Sequence, residues 1–86
     1  MPALSRDQIF ACGDQVLTAG DLGPMIRKAR KRQGYTQEFV ADALECSPRL
    51  VGEMERGRGT VAFDTLIRYA LQMGVDLVAF DRAGEQ

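Results

Sequence analysis

Residues 36–57 read TQEFVADALECSPRLVGEMERG, two short amphipathic segments with start and stop signals at their ends. Thr36 and Ser47 stand where a side-chain oxygen accepts a bond from the first free N–H groups of a helix, so two helices start eleven residues apart. Tyr35 and Cys46 precede the caps and are expected to staple onto Val40 and Val51. Pro48 falls at the first helical position, where its missing N–H costs nothing, and Gly57 follows the last helical residue, where a left-handed backbone is wanted. The stretch therefore folds as two punctuated helices joined by a tight turn, Gln37–Leu44 with Val40, Ala41 and Leu44 inward, and Pro48–Arg56 with Val51 and Met54 inward.

Working outward, a helix is expected from Leu22 to Gln33, with Asp21 as its cap, Pro24 tolerated in the first turn and Gly34 as its stop. Leu22, Ile26, Ala29 and Gln33 share one face, which leaves Lys28, Lys31 and Arg32 pointing outward. A fourth helix is expected from Phe63 to Met73, burying Leu66, Ile67, Ala70 and Met73, with Gly74 after it. VDLVAFD (75–81) alternates as a strand does. One strand needs a mate, and the candidates are the same strand of a second copy or a hairpin formed by QIFAC and QVLT around Gly13-Asp14. The division is a single domain over 1–86: an extension at 1–20 with the candidate hairpin, a helical domain at 21–74, a strand for dimerisation at 75–81, and a tail at 82–86.

Eighty-six residues support one domain and a small core, so stabilisation by a second copy is expected. Two cysteines, Cys12 and Cys46, make no disulfide framework, and there is no histidine. No apolar run approaches the roughly 20 residues of a membrane span, and no basic-then-apolar leader opens the chain. The expectation is a reduced, soluble, cytoplasmic protein with no membrane association. The net charge of −1 hides an asymmetry. Residues 22–60 hold eight basic groups against five acidic ones, leaving +3 on the central module and −2 on each flank. Five of those basic groups crowd into positions 27–32, a run that reads either as a solvated helix face or as a field for a polyanion.

The segment IRKARKRQGYTQEFVADALECSPRLVGEMERGRGTVAFDTLIRYALQMGVDL resembles the phage-repressor-like, or Xre-like, helix-turn-helix family. The spacing of Arg30, Thr36, Gln37, Ala41, Ser47, Val51, Glu55 and Gly57 carries the match. The apolar strand after the fourth helix and LGPMIRKARKRQGYTQ near the start look most like the HipB-type antitoxins. The resemblance implies a mainly α fold: a compact four-helix repressor-like domain with a C-terminal β-strand pairing across a dimer. It also implies repression of the protein's own operon and binding of a HipA-type kinase toxin.

Residue by residue, the resemblance makes Gln37 a phosphate contact at a helix start. Ser47, Pro48, Arg49, Gly52 and Glu53 take the groove-facing start and outer face of the reading helix. Arg49 is the leading candidate to donate two bonds to guanine O6 and N7. Arg56 and Thr60 match phosphate-contacting positions. Arg30 and Glu55 are paired in the family as a partly buried ion pair, a structural assignment. Tyr69 and Phe80 are assigned to a dimer face.

The chain departs from the family pattern at four places. Glu45 replaces the usual turn glycine, Gly52 weakens its helix, Ala62 replaces a hydroxyl cap, and Glu53 puts an acid on the face meant for DNA. That acid either accepts from cytosine N4 or repels phosphate. The leading function is a sequence-specific DNA-binding repressor working as a homodimer on a palindromic operator, as an autoregulating HipB-like antitoxin does. The alternative is a protein-interaction module that neutralises a HipA-like kinase with little DNA binding. An enzyme is disfavoured: there is no imidazole base, no paired carboxylates suited to acid/base work, and no cofactor or metal motif.

Overall fold

The computed structural model describes residues 7–8, 13, 15–58, 61–79 and 81. Its described part is mainly helical: α1 Ala19–Arg32, α2 Gln37–Leu44, α3 Pro48–Glu55 and α4 Phe63–Gln72, with Asp7 and Gln8 also helical.

The two central helices begin where their caps place them. Thr36 Oγ1 accepts from the Phe39 N–H at 3.0 Å, and Ser47 Oγ accepts from Leu50 N–H at 3.1 Å. Glu45 takes the left-handed conformation that the turn requires, at φ 57°, and among the described residues no other non-glycine does. Ala62 opens α4 without a side-chain cap bond. The start of α1 differs from expectation. The helix begins three residues early, with Thr18 at the cap, and Asp21 serves from inside the first turn. Its carboxylate accepts from the backbone N–H groups of Leu17 at 2.9 Å and Thr18 at 3.1 Å. Those two bonds, Leu17's first, hold the Asp21 carboxyl below its usual range. Anchoring the chain before the helix extends it backward.

The core gathers Leu22, Ile26 and Ala29 of α1, Val40, Ala41 and Leu44 of α2, Val51 and Met54 of α3, and Leu66, Tyr69 and Ala70 of α4, closed by Met73. Gln33 is exposed, yet its amide donates to the Met73 carbonyl at 2.8 Å and the Ala29 carbonyl at 3.1 Å. It ties the end of α4 to the end of α1. Tyr35 stacks on Phe39, with ring centroids 5.1 Å apart, and the Val40 side chain below is left to the core.

Three expectations are corrected. Tyr69 is not on an outer face; it is fully buried, because α4 turns it inward to donate its hydroxyl proton to Glu55. Ile67, expected inside, is only half-buried. No β-strand forms among the described residues: 75–79 is irregular, as are 15–17, and Gln8, placed in the hairpin's first strand, is helical. A strand exists only with a hydrogen-bonded mate, and alternation along one segment does not supply one. Phe80, Cys12 and most of QIFAC lie outside the described residues, as does the 82–86 tail.

Gly23 marks a close approach between α1 and α3. A Cβ there would stand 2.3 Å from the Met54 carbonyl oxygen and 2.8 Å from that of Glu55, so α1 and the end of α3 meet backbone to backbone. Gly23→Ala is expected to force them apart at a cost of about 1–3 kcal/mol. Gly20→Ala, which would meet only Thr18 Oγ1 at 3.2 Å, is the control. Urea unfolding of both variants measures the contrast, and equal stabilities would contradict the contact.

Candidate nucleic-acid interface

The outer surface of α3 is organised from beneath by one buried carboxylate. Glu55, 3% exposed, accepts from Arg30 Nε at 2.6 Å and Arg30 Nη2 at 3.1 Å. It also accepts from Gln37 Nε2 at 3.1 Å and from the Tyr69 hydroxyl. Arg27 Nε lies 3.8 Å away, and Arg30 Nη1 donates to the Tyr35 carbonyl at 2.7 Å. The Arg30–Glu55 pair expected from the family pattern is thus present, with two further partners. No buried side-chain nitrogen or oxygen among the described residues is left without a partner, which is the condition for a buried charge network to be tolerated.

Protonation follows from that arrangement. Burial alone would push the Glu55 carboxyl up, but the bonds from Arg30, Tyr69 and Gln37 outweigh it and hold the group below its usual range. The bond to Glu55 raises Arg30 in turn. Tyr69 is pushed far up, first by burial and then by donating to Glu55. All three stay in their present protonation states near neutrality.

Above this hub lie most of the expected site residues. Arg49, Gly52, Glu53 and Arg56 recur at helical spacing on one face of α3. Ser47, Pro48 and Arg49 are exposed at its start. The Ser47 hydroxyl caps α3 by accepting a bond and keeps its own proton to donate. Arg49 Nε pairs with Glu53 Oε1 at 3.5 Å, and the two side chains are 84% and 29% exposed. Gly52 is buried beneath its neighbours. A Cβ there would meet Arg56 Nη1 at 3.2 Å and Gln37 Nε2 at 3.7 Å, so the bare backbone lets the guanidinium and the amide converge. Gln37 gives one amide proton to Glu55 and keeps the other. Thr60 lies outside the described residues.

Sequence reasoning missed the reach of Gln37 to Glu55, the Tyr69 hydroxyl and the seat over Gly52. Only Tyr69 carried a signal, since an aromatic with a hydroxyl on an otherwise apolar helix face needs a buried partner.

A second surface lies on the other flank of α1. An apolar groove of about 730 Å³ is lined by Val16, Leu17, Met25, Phe63, Leu77 and Val78 among others. Phe63 is 66% exposed and Leu17 76%. No helix of the described residues is long and apolar enough to cross a membrane, and no cluster of metal-ligating side chains occurs among them.

A family model described as Helix-turn-helix matches residues 26–80, more than half of the chain. The chain is 54% identical over 35 residues to the HTH-type transcriptional regulator YazB of Bacillus subtilis (strain 168), a match covering 41% of this chain and about half (51%) of that protein. Among solved structures it is similar to a HipB-O4 20mer complex, with TM-score 0.69, and to a HipA-HipB-O2-O3 complex, with TM-score 0.70. In each case 80% of this chain covers 97% of the other at 13% identity, a likeness of fold.

Because Glu55 is held low, the stability it contributes is present above its unfolded value, near 4 for such a carboxyl, and is lost as pH falls through the folded value. Acidification below about pH 4 is therefore expected to destabilise the protein. Glu55→Gln should be less stable near neutrality and show a flatter acid limb in pH-dependent urea melts. An unchanged limb would assign the acid sensitivity to other carboxylates.

Proposed function

The chain belongs to the helix-turn-helix family, and from that premise we propose that it is a sequence-specific DNA-binding transcriptional repressor. It acts as a homodimer on a palindromic operator, in the manner of an autoregulating HipB-like antitoxin. The observation that carries the reading is the outward face of α3, where Arg49 is almost fully exposed beside the patch where Gln37 and Arg56 converge over Gly52. Arg49 has free guanidinium hydrogens for a guanine edge, while Gln37, Arg56 and Thr60 take phosphates, and Ser47, Pro48, Gly52 and Glu53 complete the groove-facing surface. Two copies set their α3 helices about 34 Å apart, one turn of duplex.

The alternation of 75–81 in the sequence, that of a strand, supports pairing with the same segment of a second copy. The resemblance to HipB, solved in a HipB-O4 20mer complex and in a HipA-HipB-O2-O3 complex, supports a HipA-like kinase toxin as partner. A cytoplasmic location goes with the reading of the chain as a DNA-binding regulator.

The apolar groove along Val16, Leu17, Met25, Phe63, Leu77 and Val78 favours a second reading, in which this fold holds a protein partner such as that kinase and contributes little DNA binding.

Titration against the duplex from the protein's own promoter region, with a scrambled duplex alongside, separates the two. A repressor binds the promoter alone and loses affinity steeply with salt, because phosphate contacts release counterions. Absence of binding to either duplex would move the function to the groove. Arg49→Ala is expected to relax base preference at one position and to cost about 1–3 kcal/mol on the promoter duplex. Unchanged affinity and preference would remove Arg49 from the readout.

A further inference from the structure

The charges on α3 are placed against the stability of their own helix. Arg49 stands in the first turn, where the backbone dipole favours an acid, and Glu53 near the last, where it favours a base. The order of the pair, base first and acid four residues later, is also the less favourable one for a helix. A solvent-exposed pair at 3.5 Å contributes at most about 1 kcal/mol. Stability of α3 does not account for Glu53, and an acid on a face that approaches phosphates lowers affinity for any duplex. A local rule broken without a stabilising return marks a functional constraint.

We propose that Glu53 is a positioning residue that sets specificity: its carboxylate occupies the Nε edge of Arg49 and leaves the two terminal nitrogens as the edge that meets guanine O6 and N7. The pairing has two effects. It presents Arg49 to the groove in one pose, reducing the freedom a long side chain would lose on contact. It also makes random DNA a poor site, because a phosphate must compete with the carboxylate for Arg49 and is itself repelled by Glu53. A guanine edge, neutral overall, avoids that repulsion. Glu53 thus trades general affinity for discrimination by penalising the wrong partner. Arg49 is 84% exposed and Glu53 29%, so the guanidinium is open to a ligand while the carboxylate is more covered, and the Arg56 guanidinium lies over Gly52.

This inference rests on reading α3 as the DNA-contacting helix, and the test keeps the two apart. Wild type, Glu53→Gln and Arg49→Lys are titrated against a duplex enriched from a randomised library and against a scrambled one, over a range of salt. Glu53→Gln keeps the shape and removes the charge. It should bind the scrambled duplex more tightly, with a salt slope steeper by about one phosphate contact. Its ratio of specific to non-specific affinity should fall roughly tenfold. Arg49→Lys, which lacks the planar two-bond edge, should lose the preference for guanine at the position that Arg49 reads. If wild type discriminates between the duplexes and Glu53→Gln leaves both the ratio and the slope unchanged, Glu53 has no such role. If wild type binds neither duplex, the DNA-binding reading falls and this inference with it.

Discussion

The architecture depends on the hydrogen bonding of one buried carboxylate. Glu55 is carried by α3 and accepts from Arg30 of α1, Gln37 at the start of α2 and Tyr69 of α4. A single side chain thereby addresses all four helices. Charge in a dry core is costly unless every lone pair is used, and here the donors arrive from three directions to use them. Removing a partner from such a network typically costs about 3–5 kcal/mol, because the other charge is stranded. Geometry matters as much as energy: the bonds fix how α3 sits against α1 and α2, and so which of its residues face out. The close approach at Gly23 serves the same end, since the α3 carbonyls beside Glu55 lie against α1 without an intervening side chain.

The site inherits its order from this hub through Gln37. Its amide reaches down to Glu55 and lies beside Arg56 over Gly52. The surface proposed to meet DNA is thus one bond from the buried charge. A change at Gln37 alters the surface and the satisfaction of Glu55 together, whereas Arg49 and Glu53 pair with each other. The functional face therefore has a part coupled to the fold and a part free to vary.

Local chemistry made much of this legible. Thr36, Ser47, Pro48 and Gly57 define the ends of α2 and α3 within a few bonds of themselves, and the structure starts those helices at the expected residues. Glu45 shows its left-handed backbone for the same reason. The family resemblance implied that Arg49 and Glu53 lie on the outer face of α3, and the two side chains pair there. What was not legible depends on residues distant in the chain. Tyr69 is buried with its hydroxyl donating to a carboxylate fourteen residues earlier; its apolar helix face signals a buried partner, but nothing near it says which residue accepts. Gly23 looks like an ordinary helix glycine until the α3 carbonyls are laid against it. The strand expected at 75–81 does not form over the described residues 75–79 for a different reason, since alternation sets the two faces of a strand and leaves its mate undetermined.

In the proposed function α3, held by Glu55, is the surface that meets DNA. Amide chemical shifts of the isotopically labelled protein, followed as the promoter duplex is added at low salt, test it most directly. The expected perturbations fall on Gln37 and on residues 47–53 and 56, with the outer side of α4 unmoved. Perturbations confined to Leu17, Phe63, Leu77 and Val78, or none at all, would contradict it.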